Sequence, residues 1–344
     1  MTRVALLTEI PAPYRIPLFN ALAERVDLDV LFLARTNPQR PYRLHEDEIR
    51  FRWHVLPGFD FAVGSRWLIL NRGVRRAVAG SDALLLGGWN QPAFWAALAT
   101  RKPAYVWVES TAGDDRGGPS GLKRLFARRA AGFIVPGGAS EAYVRALVPS
   151  ARVAIAPNAV DNELFSSGVA APGVDGVCIL YVGRLANEKG VDVLLRAARG
   201  LDATVVLAGT GPEEHALRAI APEGTRFLGH VDRDDLPGWY ASTDVLVLPS
   251  RSEPWGMPLN EGAAAGLPLV ATDAAGAAHE LIEDGVNGFR VPAGDVAALH
   301  DALKRLVDDA GFRRAAGARS REIAARFTPD VWADAVASTL SGRV

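Results

Sequence analysis

Cysteine is nearly absent: the 344 residues hold one, Cys178. A disulfide framework and a cysteine metal site are both excluded, and Cys178, inside the apolar run Val177-Cys-Ile-Leu-Tyr-Val182, reads as an inert core residue. The histidines His45, His54, His215, His230, His279 and His300 are scattered without ligand spacing, so no protein-held metal and no other cofactor is expected. Charge of one sign is lacking too. The 38 Lys and Arg against 39 Asp and Glu leave a net charge of −1, which gives no electrostatic footprint for a nucleic acid. No run of about 18 apolar residues occurs. The apolar start Arg3-Val-Ala-Leu-Leu-Thr8 turns at once into Pro11 and Pro13, too short for a signal peptide. The reading is a cytoplasmic protein.

What is present is an alternation of short apolar runs with amphipathic stretches over almost the whole length, the pattern of parallel α/β layers. Strands are expected near 3–8, 28–33, 51–56, 82–86, 104–108, 132–135 and 153–156, then near 177–182, 203–208, 225–228, 244–248, 268–271 and 288–291. The segment 161–176, with Ser166-Ser-Gly168 and Pro172-Gly173, has linker composition. It divides an amino-terminal domain, 1–160, from a carboxyl-terminal one, 177–327, both Rossmann-like. In the tail, 328–344, Thr328 suits an N-cap and Pro329 a first helical position, with Val331, Trp332, Ala335, Val336 and Leu340 on one apolar face.

The most informative stretch is Ser250-Arg-Ser-Glu253-Pro-Trp-Gly256-Met257-Pro-Leu259-Asn260-Glu261. It follows the buried strand Asp244-Val-Leu-Val-Leu-Pro249, so Glu253 lies at a strand's carboxyl end, where open α/β sheets bind ligands. Glu261 lies in the first turns of the next helix, whose free N–H groups form an anion site. Two carboxylates flanking an anion site suit a phosphate with a polyhydroxylated piece on each side, which describes a nucleotide sugar. Upstream, Gly183-Arg184-Leu-Ala-Asn-Glu-Lys189-Gly190 follows another strand, and Gly209-Thr-Gly211 a third. Together they offer glycines for close backbone approach and two cations for a diphosphate.

In this order and spacing the chain resembles the family 4 glycosyltransferases, retaining enzymes of the GT-B fold. The resemblance runs from Asn158-Ala-Val-Asp161 through the segments above, Phe227-Leu-Gly229, Gly266-Leu-Pro268 and Glu280 to Asn287-Gly288. It implies two Rossmann-like domains facing a cleft, with the last helix crossing back to the amino-terminal domain. Arg184 and Lys189 would hold the donor diphosphate, Glu253 the donor sugar and Glu261 the ribose, and backbone near His230 and Val231 the base. Gly183, Gly209, Gly211, Gly256, Met257 and Leu259 complete the donor-side candidates, with Asn260 shaping the sugar pocket. The implied reaction moves a sugar from a nucleotide-diphosphate donor to a small-molecule or lipid-linked acceptor by front-face substitution, without metal. Two carboxylates at opposite ends of the donor do not serve a double displacement.

The amino-terminal half departs from the family. Where many members carry a Gly-Gly loop after the first strand, this chain has Glu9-Ile-Pro-Ala-Pro-Tyr14-Arg15, and Pro removes N–H donors. Tyr14 and Arg15 are acceptor-side candidates, Arg15 reading equally as a solvated helix-start residue. Glu109, ahead of the loop Gly113-Asp-Asp-Arg-Gly-Gly118, is a candidate acceptor-binding or proton-accepting group, or a plain structural acid. The basic segments Arg66-Trp67-Leu-Ile-Leu70…Arg72…Arg75-Arg76 and Lys123-Arg124-Leu-Phe126…Arg128-Arg129 have the composition of interfacial helices at the inner face of a membrane, the alternative being plain solvated charged faces. The rivals are a nucleotide-sugar epimerase or phosphorylase on the same fold, which an epimerase would reveal by turning over donor without acceptor, and a catalytically dead nucleotide-sugar-binding subunit. An NAD enzyme lacks the third glycine of its fingerprint.

Overall fold

Runs such as Ala83-Leu-Leu-Leu86 and Val245-Leu-Val-Leu248 carry no polar position, and a strand of that kind is stable only where both sheet faces are covered. Both are buried at every residue, at the centre of two parallel sheets. The computed structural model describes residues 1–37, 46–63, 66–112, 120–171 and 176–342. Two units result: Met1–Asn158 with Pro329–Val344, and Ala159–Thr328.

In the first unit the strands are β1 (Arg3–Thr8), β2 (Asp27–Phe32), β3 (Arg52–Val55), β4 (Gly58–Val63), β5 (Arg66–Asn71), β6 (Ala83–Leu86), β7 (Ala104–Trp107), β8 (Gly132–Val135) and β9 (Val153–Ile155). All but β4 and β5 form a parallel sheet of order β3-β2-β1-β6-β7-β8-β9, with Val4 opposite both Leu28 and Ala83. The order reverses between β1 and β6. Helices α1 (Ile16–Ala23), α2 (Val74–Ala77), α3 (Pro92–Leu98), α4 (Ser120–Ala127) and α5 (Gly138–Leu147) connect them.

The second unit holds β10 (Val177–Val182), β11 (Ala203–Ala208), β12 (Arg226–Gly229), β13 (Val245–Leu248), β14 (Leu269–Thr272) and β15 (Gly288–Val291), all parallel, in the order β12-β11-β10-β13-β14-β15. Here the reversal falls between β10 and β13. Its helices are α6 (Asn162–Ser166), α7 (Val191–Ala197), α8 (Glu214–Ile220), α9 (Leu236–Ala241), α10 (Met257–Ala265), α11 (Ala278–Leu281), α12 (Val296–Asp308) and α13 (Ala310–Ala324). The stretch with linker composition opens as α6, whose N-cap Asp161 accepts from the Leu164 N–H at 3.1 Å. Phe165 of α6 is buried edge-on against Tyr240, with ring centroids 5.4 Å apart. Pro172-Gly173 lies outside the described residues.

The last helix, α14 (Pro329–Leu340), packs on α1 within the first unit. Trp332 is wholly buried, 5.0 Å from the Trp107 ring and 6.2 Å from that of Phe19. The buried face of α14 differs from the sequence reading: Ala333 and Thr339 join it, while Val331 is 40% exposed.

The expected interfacial helix over 66–76 is not formed. Arg66–Asn71 is instead strand β5, paired antiparallel with β4, and only Val74–Ala77 is helical. Alternation decides it: Ile69 faces the core while Leu70 and its partner Phe59 face out, a period of two rather than 3.6. The second basic segment is helical as α4, with Phe126 buried against Trp95 and Leu122 and Leu125 exposed. Among the described residues no helix is long and apolar enough to cross a membrane.

Candidate functional site

At the reversal of the second sheet, the loop after β10 carries Lys189 and the loop after β13 carries Glu253. Their side chains form an ion pair, both mostly buried. Backbone bonds join the loops: the N–H groups of Arg251 and Ser252 both donate to the Glu188 carbonyl, at 2.8 and 3.2 Å. The Arg251 guanidinium grips the Asp192 carboxylate through two bonds of 2.8 and 2.9 Å, which holds that carboxyl below its ordinary range. Arg184 pairs with Glu188 four residues on. Against the cost of burial, a backbone hydrogen bond and Arg184, with Lys189 further off, keep the Glu188 carboxyl below its usual range. Glu188 therefore sits between the two cations.

The loop after β11 packs backbone to backbone on the β10 loop. Gly209 has φ +144°, and a Cβ there would lie 1.9 Å from the Gly183 carbonyl; one at Gly211 would lie 2.1 Å from that of Leu185. Gly209 also donates to Gly229 at 2.7 Å, which fixes the loop carrying His230 and Val231. His230 itself is exposed, 3.5 Å from Asp232. The close approach that the glycines permit is thus to neighbouring loops.

Glu261 stands on α10 and accepts from the Tyr240 hydroxyl at 2.5 Å. Burial pushes its carboxyl up to about 7, with the Tyr240 bond and Arg233 acting the other way. Burial beside a carboxylate likewise raises Tyr240 well above the ordinary phenol range, so it remains the donor. The start of α10 offers fewer N–H groups than expected: Pro258 has none, and Leu259 spends its own on Gly256 at 2.9 Å. Asn260 is buried with its side-chain oxygen accepting from the Trp255 indole at 2.8 Å, so it pins that ring inside the Glu253–Glu261 segment.

The first unit has its own polar cluster at the carboxyl ends of β1 and β7. The Arg15 guanidinium lies 4.4 Å over the Trp107 ring, donates to Thr8 at 3.3 Å and pairs with Glu109 at 3.2 Å. Its side chain is 15% exposed, so it is no solvated helix-start residue. Despite burial, Glu109, Tyr14 and Glu9 raise its pKa further. The other oxygen of Glu109 accepts from Asn158 at 3.0 Å, and the Glu109 carbonyl accepts from Ser140 at 3.1 Å. The loop 113–118 lies outside the described residues. Among the described residues no group of three or more His, Cys, Asp or Glu could hold a metal ion.

Residues 176–309 match the family model of glycosyl transferases group 1. The matched stretch lies wholly within the second unit. The chain is 34% identical over 183 residues to a glycogen synthase of Mycobacterium tuberculosis, a match covering 50% of this chain and 44% of that protein. It is 38% identical over 149 residues to an α-D-kanosaminyltransferase of Streptomyces kanamyceticus, covering 40% and 38%. In each case the match spans less than half of the relative's own length. Over the whole chain the fold is that of a sucrose-phosphate synthase from Thermosynechococcus elongatus, with TM-score 0.79, 20% identity, and 100% of this chain and 99% of that one covered. Anabaena HepE, solved with UDP and glucose, gives TM-score 0.78 at 20% identity over 99% and 100%. Both units are Rossmann-like, the α/β architecture of the GT-B class.

Within the second unit, Lys189 and Glu253 meet, Arg184 and Glu188 flank them, and Glu261 is tied to Tyr240. Gly183, Gly209, Gly211 and Gly256 shape the loops, and Met257 opens α10. Sequence reading missed Glu188, Asp192, Arg251, Trp255 and Tyr240. Asp192 and Arg251 were legible only as ordinary surface charges, because their pairing spans 59 residues. A depression of about 220 Å³ between α7 and α8, lined by Asn187, Asp192 and Glu213 among others, includes neither Lys189 nor Glu253.

Proposed function

We propose that this protein transfers a sugar from a nucleotide-diphosphate sugar to an acceptor hydroxyl, with retention at the anomeric carbon. The observation that carries the reading is the Lys189–Glu253 pair at the sheet reversal of the second unit, within the matched stretch. Glu253 holds the ammonium at the carboxyl end of the sheet, and its carboxylate accepts hydroxyls of the donor sugar. Lys189 and Arg184 face the diphosphate, and Glu261, ionised above pH 7, accepts the ribose hydroxyls. HepE, of the same fold, has been solved with UDP-glucose, which makes UDP the first base to try.

In the step itself, the bond from the anomeric carbon to the diphosphate oxygen breaks, and a bond to the acceptor oxygen forms on the same face. The acceptor's proton passes to the departing phosphate oxygen. The cations absorb the charge that develops there, a contribution that counts only because it is larger in the transition state than in the bound donor. Glu109 is better suited to holding Arg15 and Asn158 than to moving this proton, since both of its oxygens are engaged.

The test is the slow turnover of UDP-glucose, GDP-mannose and ADP-glucose by purified protein, followed by NMR. One donor releasing nucleoside diphosphate, with the sugar freed first in the donor's own anomeric form, supports the reading. Isomerised donor without nucleotide release would establish an epimerase instead.

A further inference from the structure

Open α/β sheets take ligands in the crevice where the strand order reverses, outside the carboxyl ends of the strands. In the first unit that crevice lies between β1 and β6. The residue leaving β1 is Glu9, and the loop leaving β6 is Gly87-Gly-Trp-Asn90-Gln91. One oxygen of Glu9 accepts from the Asn90 amide at 2.8 Å and from the Gln91 amide at 2.9 Å. Gln91 is 1% exposed. Its amide also donates to the Trp67 carbonyl at 3.0 Å, while its oxygen accepts from the Ile69 N–H at 3.0 Å. The β4–β5 hairpin thereby fixes Gln91, and Gln91 fixes Glu9.

The second oxygen of Glu9 has no hydrogen-bond partner among the described residues. Glu109 is different, since Arg15 takes one of its oxygens and Asn158 the other. Arg15 turns two of its nitrogens to Thr8 and Glu109 and its face to Trp107, with its buried Nε left without a partner among the described residues. No bulk grows from the β6 side: a Cβ on Gly88 would come 2.9 Å from the Asn90 side-chain amide oxygen, so a larger residue would push the Asn90 side chain off Glu9. The half-buried Trp89 ring flanks the same loop, 6.1 Å from Tyr143.

Resting on the transferase reading, we infer that Glu9, held by Asn90 and Gln91, binds hydroxyls of an uncharged polyhydroxylated acceptor at the sheet reversal of the first unit. A carboxylate is acceptor-only and takes protons from vicinal hydroxyls, whereas a phosphate brought against it is repelled. Arg15, whose charge also feels Glu9, is paired with Glu109. The class selected is a neutral sugar or cyclitol, not its phosphate ester.

The experiment is saturation-transfer NMR of the full chain with myo-inositol, D-glucose and sucrose, against D-glucose 6-phosphate and myo-inositol 1-phosphate. Glu9→Gln and Asn90→Ala are compared with the unaltered protein, and thermal shifts with UDP, GDP and ADP are measured on the same samples. At least one neutral probe is expected to bind, more tightly than the phosphates, and to weaken about tenfold in Glu9→Gln, as for a hydrogen bond to a charged group. Asn90→Ala, on an exposed side chain, should weaken it less and carries the test should Glu9→Gln fold poorly. Unchanged binding in the variants, tighter binding of the phosphates, or no binding of any neutral probe would each overturn the inference. Binding of the neutral probes without any nucleotide shift would sink the transferase reading while leaving this site standing.

Discussion

At the reversal of the second sheet, Lys189 from the β10 side meets Glu253 from the β13 side, and the pair rests on loops stitched by Arg251, Asp192 and Glu188. In the first unit the pair of Arg15 with Glu109 has aromatic support: Arg15 lies on Trp107, and Trp107 on Trp332 of α14. Both are partly buried ion pairs at the carboxyl ends of parallel strands. The first is braced by other charges and backbone bonds, as a group that must face a ligand needs to be. The second is braced by rings and engages all of its carboxylate, as a structural pair does. Burial of a salt bridge therefore says little about function until its remaining lone pairs are counted.

Three substitutions separate the two kinds of pair. Trp332→Ala removes the ring beneath the first unit and is expected to cost about 3–5 kcal/mol in urea unfolding, a typical loss for a wholly buried aromatic. Lys189→Ala should lower turnover about 10²-fold, as for one transition-state donor, while costing about 1–2 kcal/mol of stability for the stranded Glu253. Arg15→Ala should reverse that balance, with about 2–4 kcal/mol lost in folding and less than about tenfold in turnover. Equal effects of Lys189→Ala and Arg15→Ala on both readouts would erase the contrast.

The smallest effect expected is one of pH. Burial raises Glu261 to about 7 from an ordinary 4.5, so the fold favours its protonated form. That favour is complete below about 4.5 and is lost as the pH rises through about 7. Glu261→Gln, uncharged throughout, should therefore be more stable than the unaltered protein at pH 8, by on the order of 1–3 kcal/mol, with the gap closing toward pH 5. Melting temperatures at the two pH values check the sign. A gap that widened in acid would mean that Glu261 is held ionised instead.

The parallel sheets were legible because fully apolar runs such as Leu84-Leu-Leu86 have few alternatives, and the thirteen expected strands, several of them interrupted by a charge, lie within a residue or two of observed ones. The hairpin β4–β5 was not, because Arg66 and Trp67 drew a helical reading over a period-two pattern, although Gly64-Ser65 between the strands is itself a two-residue hairpin signal. The loops after β10 and β13 were legible as a motif, with charges at strand ends and glycines around them. Tyr240 was invisible as a partner of Glu261, since it looked like one more core aromatic 21 residues away. Glu9 stood in plain view after the first strand, yet only the strand order, which sequence does not print, shows that Asn90 and Gln91 come to meet it.

The most direct test of the donor site is the melting temperature with UDP, GDP, ADP, dTDP and NAD, each measured for the unaltered protein and for Glu261→Ala. A ligand at a hundredfold its dissociation constant adds about 2.7 kcal/mol. One nucleoside diphosphate is expected to raise the melting temperature, NAD to leave it unchanged, and the rise to shrink in Glu261→Ala. A rise with NAD alone, or no rise with any of the five, would contradict the account.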